Sequence, residues 1–362
     1  MQALSPGDSI GVLGGGQLGR MLAMSAARYG LKTHIFDPAK DAPAAEVSAF
    51  HTCASYTDID ALTAFADSCQ VVTFEFENIP RTSLERLAGA VPLRPSLASL
   101  ETSQDRLTEK QFLEGIGLNV APYMAIDGPE AIQSAHTALV SDTILKTRRF
   151  GYDGKGQTRL KTTDIDAKAA WQAIGEAPAV LEARIPFVAE VSTIIARGVD
   201  GNAVAYDVPV NIHRDGILDT SALGQFATFN VTPELTNKAQ EAAIVVANAL
   251  EHVGVLTVEF FITEQSTLLV NEIAPRVHNS GHWTMNACLH DQFDNHIRAV
   301  AGWPLGRPKR HSDAIMTNLI GDDVTNLADH AAEPGTQIHL YGKAEARKGR
   351  KMGHITRIAP RT

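Results

Sequence analysis

Short apolar runs alternate with polar and glycine-containing turns throughout this chain of 362 residues. In the first part, residues 9–14 and 33–36 are apolar enough for buried strands, and the segment between them, to about Tyr29, has the spacing of a helix. Residues 71–76 predict another strand of the same part. Strands that alternate with helices are typical of an α/β layer, and we expect one here.

The middle and the end of the chain show different patterns. We predict a helix at residues 103–115, the end of a strand at 144–146, a glycine-rich loop at 147–157, a strand at 180–186, an amphipathic helix at 235–253, strands at 255–261 and 268–273, helical structure to about residue 300, and short strands from 316. These changes divide the chain into predicted parts of residues 1–102, 103–185, 186–305 and 306–362. The predicted fold class is α/β (α+β), with a small β-rich part at the C-terminus.

Two glutamates stand on the facing strands of the hairpin predicted at residues 255–273. Glu259 and Glu272 are flanked by Val, Phe, Ile and Leu, and carboxylates in such surroundings rarely lack a partner. Two carboxylates side by side in an apolar sheet repel each other unless a cation lies between them. Mg²⁺ prefers oxygen ligands and usually keeps phosphate oxygens in its shell. The hairpin therefore predicts a site for Mg²⁺ and a nucleotide; the alternative is that both glutamates face solvent.

A glycine-rich turn follows the first strand, where residues 14–19 are GGGQLG and contain the pattern GxGxxG. With Asp37 after the second strand, this turn alone favours a dinucleotide-dependent enzyme. The motif is weakly specific, because a glycine turn lets any anionic group approach the amides at a helix N-terminus. A ribonucleotide monophosphate therefore fits as well as a pyrophosphate. Glu75, at the carboxyl end of a predicted strand, either accepts from sugar hydroxyls or lies in solvent.

A second glycine-rich loop, TRRFGYDGKGQ at residues 147–157, follows a strand that ends at Lys146. Its glycines and cations are Gly151, Gly154, Gly156, Arg148, Arg149 and Lys155. Such a loop can fold its amides over phosphates. It is not a Walker loop, because no GK[ST] follows. We predict a phosphate-covering flap, with an ordinary hairpin turn as the alternative.

A basic segment lies near the C-terminus. Its cations within nine residues are Lys343, Arg347, Lys348, Arg350 and Lys351, with Glu345 among them. A charge run is usually a solvated face. Because strands are predicted on both sides, we expect an ordered loop, which suits a phosphate monoester.

Composition limits the choice of function. The net charge of −9 and the pI of about 5.8 argue against a general nucleic-acid surface. Cys53, Cys69 and Cys288 form no CxxC pair, which predicts reduced thiols and no zinc site. The N-terminus does not resemble a signal peptide, and no run of about 18 apolar residues exists. We therefore expect a cytoplasmic protein without a membrane span.

The motifs taken together resemble a known family. They are GGGQLG, EFEN, QDRLTEKQ, FGYDGKGQ, NEIAPRVHNSGHWT and GRKMGHI, in this order along nearly the whole chain. NE followed by APRVHNSGHWT is similar to the phosphate and metal end of the ATP-grasp enzymes. The complete set resembles the N5-carboxyaminoimidazole ribonucleotide synthetases, the ATPase subunits of phosphoribosylaminoimidazole carboxylase. The resemblance implies an N-terminal Rossmann-like pre-ATP-grasp domain, an ATP-grasp fold with a mobile lid, and a small C-terminal β domain.

The resemblance also implies roles for individual residues. Those expected at the nucleotide are Arg106, Lys146, Phe150, Gly151, Tyr152, Asp153, Gly154, Lys155, Gly156, Glu182, Ala183, Arg184, Ile185, Glu190, His213, Asn271 and Glu272. Those expected at the ribonucleotide substrate are Gln17, Leu18, Glu75, Lys155, Lys343, Arg350 and Lys351. Those expected to be catalytic are Arg276, His278, Asn279, Ser280, Tyr152 and Asp153. Glu259 and Glu272 are the expected Mg²⁺ ligands.

The implied reaction converts 5-aminoimidazole ribonucleotide, bicarbonate and ATP into N5-carboxyaminoimidazole ribonucleotide, ADP and phosphate. The implied partners are these small molecules, with Mg²⁺ and a second copy of the chain in a homodimer. Three alternatives stay open. A NAD-dependent oxidoreductase rests on GxGxxG and Asp37, and a non-catalytic nucleotide-binding regulator needs no bicarbonate site. A formate-using glycinamide ribonucleotide enzyme is the nearest alternative among ATP-grasp proteins.

Overall fold

The N-terminal part is an α/β layer in the computed structural model, which describes residues 3–151, 154–161 and 165–362. Its elements are β1 (Ser9–Leu13), α1 (Gln17–Arg28), β2 (Lys32–Phe36), β3 (Phe50–Thr52), α2 (Ile59–Asp67), β4 (Val71–Phe74) and α3 (Arg81–Ala88). The strands form a parallel sheet in the order β3-β2-β1-β4. Their apolar side chains are buried on both faces, as expected for a parallel sheet covered by helices.

Two helices lead from this layer into a second, antiparallel sheet. The elements are α4 (Leu97–Ser103), α5 (Arg106–Gly115), β5 (Tyr123–Ile126), α6 (Pro129–Leu139), β6 (Thr143–Thr147), β7 (Gln157–Leu160), α7 (Ala167–Ala173) and β8 (Ala179–Ala183). The strand order is β5-β8-β6-β7, with α6 and α7 packed on one face around Ile132, Leu145 and Trp171. The glycine-rich loop joins β6 to β7, as a flap between two strands requires.

The rest of the chain builds one large sheet. Its elements are β9 (Phe187–Arg197), β10 (Ala203–Ala205), β11 (Val210–Arg214), β12 (Ile217–Leu223), α8 (Pro233–Ala249), β13 (Gly254–Thr263), β14 (Leu268–Ala274), α9 (Thr284–Ala287), α10 (Gln292–Val300), β15 (Ser312–Ile320), α11 (Leu327–Ala332), β16 (Thr336–Leu340) and β17 (Lys351–Pro360). Across the described residues the strand order is β14-β13-β9-β11-β12-β15-β17-β16, with β10 added beside β9. The C-terminal strands thus extend the same sheet, because β12 pairs with β15.

Both faces of the large sheet are covered. Helix α8 packs on one face against Leu256, Val258 and Phe260. Helices α1 and α10 lie on the other side, in a cluster that includes Val255 and Trp283. Among the described residues, no helix has the length and apolar composition that a membrane span requires.

Two predicted boundaries differ from the structure. The helix predicted from residue 103 begins at Arg106, because the Asp105 carboxylate caps it by accepting from the amides of Leu107 and Thr108 at 3.0 and 3.3 Å. The strand predicted at 71–76 ends at Phe74. Glu75 then turns its carboxylate to the start of α1, where the amide of Gly19 donates to it at 2.6 Å.

Candidate active site

The predicted glutamate pair lies on one face of the large sheet, in contact with Arg106 and His278. Glu259 on β13 and Glu272 on β14 are direct cross-strand partners, so their side chains share one face of the sheet. Arg106 Nη1, at the start of α5, lies 3.1 Å from Glu272 Oε2. Burial, together with the charge of Glu272, raises the pKa of Glu259 to about 7. The positive charge beside the two carboxylates therefore does not fully balance their negative charge. This excess of negative charge favours the binding of a cation.

His278 contacts the same pair from the loop after β14. Its Nε2 lies 3.4 Å from Glu259 Oε1, and its Nδ1 lies 2.9 Å from Ser280 Oγ. Burial, with the neighbouring charges of Arg276 and Lys351, lowers the pKa of His278 well below its ordinary value. The lowered pKa favours the uncharged imidazole, whose Nε2 lies in contact with the Glu259 carboxylate.

Two other residues of this loop make contacts of different kinds. Arg276 Nε lies 2.7 Å from Glu77 Oε1, so the guanidinium bridges the large sheet and the N-terminal layer. The Asn279 amide pairs head to head with Asn318 on β15, with Nδ2–Oδ1 distances of 3.0 and 2.8 Å. Arg276 thus lies in the cleft, whereas Asn279 ties the loop to β15.

A buried carboxylate organises the nucleotide side of the cleft. Glu182 on β8 accepts from Lys146 Nζ at 2.9 Å, and Lys110 Nζ lies 3.4 Å from its other oxygen. Burial alone would raise the pKa of Glu182, but the charges of Lys146, Lys110 and Arg106 outweigh burial and lower the pKa to about 2. Two ammonium groups are thereby held by the inner face of the lid sheet.

The flap itself is anchored at its base. Arg148 forms a paired contact with the Asp105 carboxylate, with Nε–O distances of 3.0 Å to both oxygens, and Arg149 Nη2 donates to Gln104 Oε1 at 2.7 Å. Phe150, at a positive φ of 63°, is 67% exposed. Gly151, Gly154, Lys155 and Gly156 surround the tip, whereas Tyr152 and Asp153 lie outside the described residues.

A histidine–carboxylate pair stands farther along the same face. His213 Nδ1 on β11 lies 2.6 Å from Glu190 Oε2 on β9. Burial would lower the pKa of His213, but the hydrogen bond that its ring donates to Glu190 and the charge of Glu259 outweigh burial and raise the pKa. Two of the residues expected at the nucleotide therefore contact each other directly.

The remaining expected nucleotide residues occupy the connection between sheets. Ala183 ends β8 and is buried, and Arg184 and Ile185 belong to the link that leads into β9. Asn271 precedes Glu272 on β14 and is the extra residue of a β-bulge, because Glu259 pairs with Glu272 and Phe260 pairs with Val270. The link follows β8, on which Glu182 accepts from Lys146 Nζ at 2.9 Å.

The glycine turn of the N-terminal layer already holds two of the protein's own carboxylates. Glu75 accepts from the amides of Gly16 and Gly19, and Asp37 Oδ2 accepts from the amide of Gly15 at 2.8 Å. A Cβ on Gly16 would lie 2.6 Å from Glu75 Oε1, which explains why glycine is needed there. The sequence indicated that an anionic ligand could approach the amides of this turn. That prediction is wrong for these amides, because internal carboxylates bind them.

A cavity of about 300 Å³ separates this turn from the basic segment. Its lining includes Gly16, Asp37, Lys343 and Arg350. Lys343 Nζ donates to Gln17 Oε1 at 2.5 Å and therefore joins the C-terminal strands to the start of α1. The side chain of Leu18 is buried in the core, so only its backbone is available to a ligand.

Lys351 lies on a different side of the basic segment. It is the first residue of β17, and its charge acts on Glu259, His278 and His282. Lys343 and Arg350 line the cavity, whereas Lys351 is absent from its lining and its charge acts on Glu259.

Helix α5 contributes two residues that sequence reasoning missed. Lys110 pairs with Glu182, and Glu109 Oε1 accepts from the amide of Ile273 at 2.5 Å, next to Glu272. Burial, with the charge of Glu272, raises the pKa of Glu109 to about 8. The sequence signal for these two residues was a pair of adjacent charges in a predicted helix. In the structure both side chains lie on the buried face of that helix.

The fold and the cleft define an ATP-grasp protein, in which a lid sheet and a large sheet face each other across a nucleotide site. Three family models match successive parts of the chain: a ribonucleotide synthetase preATP-grasp domain at residues 8–104, an ATP-grasp domain at 111–293, and a phosphoribosylaminoimidazole carboxylase C-terminal domain at 314–362. The chain belongs to the N5-carboxyaminoimidazole ribonucleotide synthase family.

Individual relatives cover the chain from end to end. An N5-carboxyaminoimidazole ribonucleotide synthase of Brucella melitensis is 50% identical over 361 residues, 99% of both chains. The synthase of Bacillus subtilis is 39% identical over 98% of this chain and 92% of its own. A crystal structure of an ADP complex of the synthetase superposes with a TM-score of 0.94 at 40% identity, over 99% of this chain and 94% of the other. An Aspergillus clavatus synthase in complex with ADP and 5-aminoimidazole ribonucleotide has a TM-score of 0.91 at 32% identity, over 98% and 95%.

Proposed function

We propose that the chain catalyses the ATP-dependent carboxylation of 5-aminoimidazole ribonucleotide with bicarbonate in purine biosynthesis. The products are N5-carboxyaminoimidazole ribonucleotide, ADP and phosphate. The observation that supports this most directly is the presence of three regions of suitable chemistry: the Glu259–Glu272 pair, Arg276 with His278, and the cavity beside Lys343. The first suits a metal–nucleotide, the second a small oxyanion, and the third a phosphate monoester.

Glu259 and Glu272 suit Mg²⁺ as ligands. They lie side by side, and the raised pKa of Glu259, caused by burial and the charge of Glu272, reflects the repulsion that a cation would remove. No group of three or more His, Cys, Asp or Glu that could enclose a metal occurs in the part of the chain that the structure describes. This agrees with an ion that takes most of its shell from phosphate and water. When bound, Mg²⁺ would supply neutralisation of charge on the β- and γ-phosphates.

ATP would lie between the lid sheet and the large sheet. Lys146 and Lys110, held by Glu182, would bring positive charge to the phosphates, and the glycine-rich flap would cover them. The Glu190–His213 pair lies where the ribose is expected and offers a carboxylate that can accept from hydroxyls. A closed flap would exclude water from a labile intermediate.

Bicarbonate would bind beside the γ-phosphate. Arg276 presents a planar guanidinium to the cleft, and neutral His278 presents Nε2–H. A bicarbonate oxygen attacks the γ-phosphorus of ATP, and the bond between this phosphorus and the β-phosphate oxygen breaks. The products of this step are carboxyphosphate and ADP. Carboxyphosphate releases phosphate, and its carboxyl carbon is transferred as CO₂ to the exocyclic amine of the ribonucleotide. The contribution of the protein is positioning and charge stabilisation.

The ribonucleotide would extend from this point to the cavity. Its phosphate would lie at Lys343 and Arg350, which line the wall opposite the glycine turn. Glu75 and Asp37 hold that turn closed to a second anion, which disfavours the dinucleotide alternative. The family resemblance further supports a homodimer in the cytoplasm, and sedimentation velocity of the purified chain would test the dimer.

Phosphate release tests the function directly. Purified protein with ATP and Mg²⁺ should release phosphate rapidly only when both 5-aminoimidazole ribonucleotide and bicarbonate are present. Phosphate release that depends on glycinamide ribonucleotide and formate instead would contradict the proposal. A nicotinamide-dependent absorbance change without ATP would point to the oxidoreductase.

A further inference from the structure

A row of polar side chains crosses the large sheet at right angles to its strands. We define the polar row as Glu272, Glu259, Ser192, Asn211 and Ser221, on β14, β13, β9, β11 and β12. Glu259 is the direct cross-strand partner of both Glu272 and Ser192, and Asn211 is that of Ser221. Ser192, Asn211 and Ser221 are 0%, 4% and 0% exposed. None of the last three has a part in the function proposed above.

These buried side chains form a continuous hydrogen-bond chain that ends at His278. Ser221 Oγ donates to Asn211 Oδ1 at 2.7 Å, and Asn211 Nδ2 donates to Ser192 Oγ at 3.0 Å. Ser192 Oγ lies 2.7 Å from Ser280 Oγ, which lies 2.9 Å from His278 Nδ1. Each link has hydrogen-bond length, and the chain runs across three strands into the catalytic loop.

The direction of the chain follows from the groups that can only donate. An amide NH₂ has no lone pair to offer, so Ser192 Oγ accepts from Asn211 and its own hydrogen is free for Ser280. The backbone N–H of Ser280 points at His278 Nδ1 at 3.3 Å, so Nδ1 is an acceptor. The ring proton therefore lies on Nε2, which faces Glu259 Oε1.

We propose that Ser192, Asn211 and Ser221 are positioning residues whose one-way hydrogen bonds, together with the backbone N–H of Ser280, hold His278 in the Nε2–H tautomer, so that it donates toward the glutamate pair. This inference rests on the proposed function, because the group that receives the hydrogen bond during turnover is the oxyanion of bicarbonate or carboxyphosphate. The tautomer is a property of the resting protein. It can therefore be measured whether or not the proposed reaction occurs.

The tautomer of a catalytic histidine can have a large effect on kcat. In a hydrolase triad, an imidazole held in the wrong tautomer lowers kcat on the order of ten thousandfold. A positioned proton donor generally contributes about a hundredfold or more. We therefore expect loss of this hydrogen-bond chain to lower kcat at least about tenfold while the KM for ATP changes little. The reason is that the hydrogen-bond chain ends at His278, on the oxyanion side of the site.

Two substitutions change the chain in different ways. Ser192→Ala removes the central hydroxyl. Asn211→Asp keeps the side-chain shape but replaces the donor by an acceptor, so the Ser192 hydrogen turns away from Ser280. Thr193→Val is the matched control: Thr193 is the next residue of β9, is 0% exposed, and its hydroxyl has no hydrogen-bond partner among the residues described.

The decisive measurement is the ¹⁵N spectrum of the His278 ring, assigned by its loss in His278→Gln. The expected result is an Nε2–H signature in the wild type and in Thr193→Val, a shift toward Nδ1–H in Asn211→Asp and Ser192→Ala, and a parallel loss of kcat in those two variants. An Nδ1–H signature in the wild type would overturn the inference even if neither variant folds. A fall in kcat with an unchanged tautomer would also overturn it, since the residues would then serve only the fold. Absence of phosphate release by the wild type would refute the proposed function and leave the spectrum to decide the inference.

Discussion

Lys110 Nζ lies 3.4 Å from Glu182 Oε1, with 1% and 5% of the two side chains exposed. Lys146 approaches the second oxygen of the same carboxylate at 2.9 Å. Burial lowers the pKa of Lys110, although the charge of Glu182 opposes the change. The carboxylate therefore holds both lysine side chains in place before a nucleotide arrives, and its removal should lower both stability and nucleotide affinity.

Glu182→Gln should lower the free energy of unfolding by about 3–5 kcal/mol, because breaking a buried ion pair leaves an uncompensated charge. Urea denaturation measured by circular dichroism would determine the change. The double variant Glu182→Gln with Lys110→Met should recover part of the loss, since the unpaired ammonium is then gone. Equal stability of the wild type and Glu182→Gln would refute a stabilising role of the Glu182–Lys110 ion pair.

Glu272→Gln keeps the side-chain shape but removes one charge from the glutamate pair. We expect ATP turnover to be almost abolished with the fold intact, because the cation would have lost a carboxylate ligand. Titration with Mn²⁺ followed by electron paramagnetic resonance should show weaker binding in the presence of ADP. Glu264→Gln, in the exposed turn of the same hairpin, is the control and should behave as the wild type. Normal turnover at ordinary Mg²⁺ would exclude Glu272 as a ligand.

Arg276→Lys should impair carboxylation while nucleotide binding survives, because an ammonium cannot form the planar, two-point contact of a guanidinium. The KM for bicarbonate should rise and kcat should fall, with the dissociation constant for ADP little changed. Arg86→Lys, an exposed position on α3, is the control. Equal losses in ADP affinity and in turnover would make Arg276 a phosphate ligand instead.

Arg350→Ala should weaken the ribonucleotide about ten- to a hundredfold, since charge-assisted phosphate contacts are worth roughly 1.5–3 kcal/mol and 1.4 kcal/mol is about tenfold in affinity. The KM for ATP should barely move. Lys351→Ala should instead act mainly on kcat, because the charge of Lys351 acts on Glu259 and His278. Lys348→Ala, exposed in the same loop, is the control. A larger effect of Arg350→Ala on ATP than on the ribonucleotide would move this loop to the nucleotide site.

Stability should fall in mild acid through two buried histidines. Burial lowers the pKa values of His252 and His296 from 6.5 to about 3. The unfolded chain therefore binds more protons than the folded chain between these pH values. The stabilisation is complete above pH 6.5 and is lost as the pH falls through this window, by about 1.4 kcal/mol per histidine and pH unit.

Urea midpoints at pH 7.5 and 5.5 would measure this loss. His296→Gln should reduce the difference between the two midpoints, because one titrating group is removed. His311→Gln, an exposed histidine, should leave the difference unchanged. A difference as large in His296→Gln as in the wild type would assign the acid sensitivity to other groups.

The sequence predicted the elements whose signals are local. The hairpin of Glu259 and Glu272 is confirmed, because alternating apolar residues and a polar turn determine both strands and their pairing. Lys110 was missed because its importance depends on Glu182, which reaches it only when α5 packs against the lid sheet. The use of the glycine turn was misjudged for a similar reason: Glu75 approaches Gly16 across 59 positions of sequence, and no periodicity reports such a contact.

The polar row also bears on how the large sheet finds its alignment during folding. Side chains alternate between the two faces of a strand, so a one-residue slip of β9 would turn Ser192 toward α8, into the cluster that contains Val191 and Phe260. A slip of β13 would likewise bury the carboxylate of Glu259 among aliphatic side chains, at a large cost in desolvation. Misaligned sheets are thus disfavoured by the same residues that face the cleft. A substitution that removes polarity from this row should therefore increase the fraction of molecules that refold with misaligned strands. It should also make catalysis slower.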